Sequence, residues 1–141
     1  GDFLISGYTT SYGTSSPNGF IMLVNSEGTV SWTNSYGSFS NEVGYTGIPT
    51  SDGGYLLVGS NSTDTYTVKV DEYGTMEWSK IYNVASYDTP YDVIETSEGD
   101  YVIVGNYSGG FHEYSSLLKI NSNGDFLRLA VYSDYDSKGI K

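Results

Sequence analysis

Hydrophobic and polar positions alternate over short distances throughout this chain, and each alternating run stops at a cluster of Gly, Asn, Asp or Ser. Residues 45–82 show the pattern most clearly, with four runs rich in Val, Ile, Tyr and Thr. They predict strands at Tyr45–Pro49, Tyr55–Ser60, Tyr66–Asp71 and Met76–Tyr82, here called A, B, C and D. The A–B link is Ser51-Asp52-Gly53-Gly54, and the C–D link is Asp71-Glu72-Tyr73-Gly74. Both carry glycine where a tight hairpin needs a left-handed backbone. Four strands joined by short links predict an antiparallel sheet.

The same pattern recurs twice more. Gly1-Asp2-Phe3-Leu4-Ile5-Ser6-Gly7 aligns with Gly53-Gly54-Tyr55-Leu56-Leu57-Val58-Gly59 and with Gly99-Asp100-Tyr101-Val102-Ile103-Val104-Gly105. The C–D turns align as well, placing Gly28, Gly74 and Gly124 in register. Four residues beyond these glycines stand Trp32, Trp78 and Arg128, and eight beyond stand Tyr36, Tyr82 and Tyr132. Ile48, Ile94 and Ile140 recur at a spacing of 46. Fixed-period self-similarity is the signature of a repeat architecture. The chain is therefore divided into one unit of three repeats, about 1–44, 45–90 and 91–141, entered at strand B and left after an A strand. Such a phase implies a slice of a longer array, or two ends that meet to complete one sheet. The B–C link varies most: Tyr8 to Gly19 is long, whereas Asn61 to Thr65 is short.

Two stretches, Thr50-Ser51-Asp52-Gly53-Gly54-Tyr55-Leu56-Leu57-Val58-Gly59 and Val68-Lys69-Val70-Asp71-Glu72-Tyr73-Gly74-Thr75-Met76-Glu77-Trp78, resemble β-propeller repeats found in secreted and surface proteins of bacteria and archaea. The resemblance runs end to end, with Leu23 in place of Lys in the first repeat and Arg128 in place of Trp in the third. It implies an all-β, propeller-type array of three four-stranded antiparallel blades. It also implies adhesion, surface scaffolding or protein association, and brings no shared catalytic residue. Propellers use about four to eight blades, so other copies or further repeats are expected to supply the rest. A β-trefoil, also threefold, is the alternative within a single chain.

Composition narrows the chemistry. The chain has 141 residues, 38% of them hydrophobic, which suits a single core. Six basic against 17 acidic residues give a net charge of −11, which opposes binding to nucleic acid or anionic lipid. The absence of Cys excludes disulfides and thiol catalysis, and with a single His it leaves little for a zinc site. Apolar runs such as Phe20 to Val24 are too short to cross a bilayer, and no signal peptide is visible. Its absence is expected to reflect removal, or a position outside the slice. No cofactor is expected.

Each candidate site has a plain structural explanation beside it. The repeat-equivalent aromatics Phe3, Tyr55, Tyr101, Trp32, Trp78, Tyr36, Tyr82 and Tyr132 are expected to pack between sheets. Gly7, Gly59 and Gly105 mark the B strands. Tyr8, Tyr12, Tyr107, Phe111 and Tyr114 are assigned to B–C links, where ligand-binding aromatics usually sit. His112 beside Glu113 is the one conceivable acid–base pair, but neighbours on a strand face opposite ways, and an exposed loop His is expected. Asp134 with Asp136, or Asp71 with Glu72, imitate a glycosidase pair that 17 acidic residues make inevitable by chance. Asn121-Ser122-Asn123-Gly124-Asp125 lacks the spacing of a calcium loop and reads as a hairpin turn. Asn61-Ser62-Thr63 and Asn106-Tyr107-Ser108 match the N-glycosylation pattern and are placed in exposed B–C loops.

The expected function is a non-enzymatic extracellular or cell-surface module that assembles with copies of itself or with other surface components as a ring, filament or longer array. The alternative is a carbohydrate-binding module using the loop aromatics. A hydrolase with carboxylates near a propeller channel ranks third.

Overall fold

The computed structural model describes residues 1–11, 16–37, 41–84 and 86–133. Tyr12, Asp134, Asp136 and Ile140 lie outside them, and so does the expected last A strand. Among the described residues the fold is all-β, with eleven strands in three antiparallel sheets. Strands β1 (Phe3–Thr9), β2 (Asn18–Val24) and β3 (Val30–Tyr36) form the first. The second contains β4 (Glu42–Pro49), β5 (Tyr55–Asn61), β6 (Asp64–Val70) and β7 (Met76–Tyr82). The third contains β8 (Tyr87–Glu95), β9 (Tyr101–Gly109), β10 (His112–Ile120) and β11 (Phe126–Tyr132). Every sheet is a simple meander whose ladders join consecutive strands, with β4 and β8 starting a few residues before the repeat boundaries drawn from the sequence. A trefoil barrel would instead join strands of different repeats. The sheets do not close into a propeller ring.

The repeats share registers as well as residues. Phe3 pairs Val24, Tyr55 pairs Val70 and Tyr101 pairs Ile120. The irregularities repeat too: the register slips at Leu23/Val24, Lys69/Val70 and Lys119/Ile120, and again at Gly44/Thr46 and Pro90/Asp92. The second kind pushes Tyr45 and Tyr91 out to solvent. Pro90 is tolerated there because a bulge needs no ladder N–H.

The turns match the expectation. Gly28, Gly74 and Gly124 have φ of 82°, 81° and 78°. The preceding Asn25, Asp71 or Asn121 accepts two backbone N–H bonds through Oδ1, two and four residues ahead. Asp71 and the Asn121 to Asp125 run thus take the hairpin-turn role read for them in the sequence.

Two assignments need correction. The A strands begin at Glu42 and Tyr87, earlier than expected, because Glu42 N–H donates to Pro17 O and Asp88 N–H to Thr63 O across the sheet boundary. The B–C links of the second and third repeats shrink to two residues each, Ser62-Thr63 and Gly110-Phe111. Ser62 and Gly110 supply the positive φ, 56° and 76°, that such tight hairpins require.

Packing runs sheet to sheet. Leu57, Tyr66, Val68 and Val70 of the second sheet meet Ile21 and Tyr36 of the first. Its opposite face, with Leu56, Val58 and Tyr82, meets Tyr101, Ile103, Leu118 and Ile120 of the third. Covered on both faces, β5 and β6 are buried along almost their whole length, without the inside–outside alternation of a one-sided sheet.

Candidate interaction site

The sheet junctions are built from one repeated set of contacts. At the first, Trp32 Nε1 donates to Glu72 O at 3.1 Å and the Tyr36 hydroxyl donates to Gly74 O at 2.7 Å. At the second, Trp78 Nε1 donates to Ser122 O at 3.2 Å and the Tyr82 hydroxyl donates to Gly124 O at 2.6 Å. A D strand thus grips the C–D turn of the next sheet. The turn must be glycine for a second reason besides φ: a Cβ on Gly74 would sit 2.8 Å from the Trp32 ring, and one on Gly124 2.8 Å from Trp78. Trp32 also packs edge-on against Tyr55, with centroids 5.7 Å apart. A charge pair reinforces the second junction, Lys80 to Asp125 at 3.4 Å.

The same parts recur at the two outer sheets, without a counterpart among the described residues. Tyr36 and Tyr82 are 5% and 7% exposed, but their equivalent Tyr132 is 58% exposed. On the opposite side, Tyr101 is 1% exposed and its equivalent Phe3 is 61%. Ile5 is 44% exposed although Leu57 and Ile103 are buried. A Cβ on Gly28 would meet nothing within 4 Å. The expectation that all repeat-equivalent aromatics are core therefore holds for the inner positions and fails at Phe3 and Tyr132, which no neighbouring sheet covers among the described residues. A shallow cavity of about 280 Å³ opens on the first sheet, lined by Tyr8, Thr9, Ser11, Phe20, Met22 and Thr33.

The aromatics assigned to loops lie mostly on strands. Tyr8 is on β1, Tyr107 on β9 and Tyr114 on β10; Phe111 alone occupies a turn and is fully exposed. Tyr107 and Tyr114 face one another across the third hairpin, and the His112 ring stands 6.2 Å from Tyr114. These three are brought together near Phe111, while Tyr8 belongs to a different sheet. The expected loop His is the first residue of β10, and Glu113 points elsewhere, accepting from Asn106 Nδ2 at 3.4 Å. Asn106 also donates to the Tyr91 hydroxyl at 3.0 Å, within β9 rather than in an exposed loop. Asn61 closes β5 immediately before its turn.

Carboxylates gather around a lysine. Lys69 is buried, and its Nζ lies 2.9 Å from Asp52 and 2.8 Å from Glu77. Burial opposes the charge on both Lys69 and Asp52, yet hydrogen bonds prevail: those to Glu77 and Asp52 raise the lysine, and those from Thr50, Lys69 and Gly54 bring Asp52 down to about 2. The two carboxylates satisfy a buried cation. Among the described residues no group of three or more His, Asp or Glu is placed to hold a metal ion, and no helix is long and apolar enough to cross a membrane.

Comparison with protein-family models and with curated proteins finds no match for this chain. The residues that sequence reasoning underweighted are Arg128 and Glu27. The signal for Arg128 was departure from the repeat, arginine where the other repeats have tryptophan; Glu27 stands at a variable position, equivalent to Tyr73 and Asn123, and is marked only by its charge.

Proposed function

We propose that this chain is a non-enzymatic structural and interaction module of the cell exterior, three blades of a propeller-type array whose role is association with copies of itself or with other surface components. The observation that carries the reading is the pair of uncovered junction faces, with Tyr132 on one and Phe3, Ile5 and Gly28 on the other. Monomers rarely leave contiguous apolar faces open unless these serve binding. The repeat resemblance supports surface association, and the polar, weakly charged composition suits an exterior setting. Light scattering together with electron imaging of the native protein tests it. Discrete rings, filaments or oligomers are expected, and a compact monomer at every concentration sinks the assembly reading.

A carbohydrate-binding role is the second reading, favoured by the exposed Phe111 beside Tyr107 and Tyr114. Stacking on such rings requires flat, open aromatic faces. Sugar binding on a glycan array that is lost on replacing Tyr12, Tyr107 and Phe111 by Ala supports it; silence on the array removes it.

A further inference from the structure

We propose that the partner is a second copy of this chain, docked head to tail, so that β11 of one copy grips the C–D turn between β2 and β3 of the next as β3 and β7 grip their own neighbours. The proposal rests on the assembly reading and names its occupant and its contacts. The Tyr132 hydroxyl donates to Gly28 O, the bond that Tyr36 and Tyr82 make to Gly74 and Gly124. Arg128, at the position of Trp32 and Trp78, lies over the Asn25 to Gly28 turn. Its guanidinium donates to Ser26 O, the counterpart of Glu72 O and Ser122 O.

Charge points to a second copy over an unrelated protein. The donor face departs from the repeat at Arg128, where the inner junctions have Trp32 and Trp78, and the acceptor turn carries a complementary acid, Glu27, at a position where the other turns have the uncharged Tyr73 and Asn123. Both are exposed within one copy, and a head-to-tail contact brings them together. An arginine can bond a carboxylate with two parallel N–H donors while its plane covers a glycine turn, as an indole does. The internal Lys80–Asp125 pair shows that such a junction accommodates a cation on the D strand beside an acid at the turn. Apolar complementarity follows the same rule. Ile94 and Val104 on the last sheet are equivalent to Ile48 and Val58, which pack at the inner junction, and they meet Phe3 and Ile5. Because the two faces differ, the contact is heterologous, and its repetition gives a ring if the rotation closes and a filament if it does not.

The test is a charge swap on the full chain, with mass read by light scattering across concentration and folding checked by circular dichroism. Arg128→Glu and Glu27→Arg lie on exposed positions and leave the fold intact. Each alone is expected to weaken association about thirtyfold or more, the effect of losing an interface anchor. The double variant, Glu27→Arg with Arg128→Glu, is expected to restore it. Assembly unaffected by either single change, or a swap no better than its parents, overturns the head-to-tail contact while leaving the assembly function standing. A protein that stays monomeric at every concentration overturns both.

Discussion

The Tyr82 hydroxyl spans a sheet junction, and its loss isolates the value of one bond. It donates to Gly124 O at 2.6 Å in a buried setting, so Tyr82→Phe removes a hydrogen bond and strands a buried carbonyl. A cost of about 1–3 kcal/mol is expected in urea unfolding. Tyr132→Phe, at the equivalent but exposed position, is expected to leave the stability of the monomer unchanged. The phenols also set an alkaline limit. Burial raises Tyr36, Tyr66, Tyr82 and Tyr101 above the ordinary 10.0, with Tyr82 pushed up to about 12. The fold favours the neutral phenol, so this contribution is whole below pH 10 and is lost as pH climbs through the folded values. The loss approaches ~1.4 kcal/mol per pH unit for each such phenol. Cooperative loss of the strand signal above pH 10, together with a late rise in tyrosinate absorbance, is the expected outcome. Exposed phenols titrating alone, with the fold intact beyond pH 12, would contradict it.

Among elements, the C–D turns separate backbone strain from packing. Gly28 and Gly74 share a positive φ, but only Gly74 lies against a tryptophan ring. Gly28→Ala is expected to cost ~1 kcal/mol for the left-handed backbone alone. Gly74→Ala adds displacement of Trp32 and is expected to cost ~1–3 kcal/mol more by chemical denaturation. Equal costs would mean that Trp32 moves aside freely. These turns were legible in the sequence because Asn or Asp three residues before Gly specifies them locally, and the D strand Met76–Tyr82 emerged with the expected bounds. The third B–C hairpin was not. Asn106 to Gly109 carry turn-like residues, and what keeps them extended is ladder pairing with His112–Ser115 around the two-residue Gly110-Phe111 turn, which composition does not encode. The early start of the A strands has a more distant origin, in backbone bonds from Glu42 and Asp88 to Pro17 and Thr63, which flank strands of the preceding sheet.

At the scale of the molecule, the threefold repeat was legible because each sheet reuses one register, but the inequality of the three sheets was not. Identical patterns at Phe3, Tyr55 and Tyr101 acquire different burial only from what lies next to them. The candidate site is made of that inequality, which is why a reading that treats equivalent positions as equivalent passes over it. Unequal burial has a dynamic consequence. Local opening is easiest where few apolar contacts cover a strand, and hardest where both faces are packed. The second sheet is packed on both faces, while the first and third each keep one open. In dilute protein the amides of β5 and β6 are therefore expected to exchange with solvent most slowly, with β1 and β11 opening well before the global unfolding limit. Raising the concentration into the assembled range covers the open faces, and protection is expected to rise at β1, at the Asn25 to Gly28 turn and at β11 while β5 and β6 change little. Mass-resolved hydrogen exchange at two concentrations reads this directly. A uniform rise across all three sheets would instead indicate that association stabilises the whole fold without a localised contact.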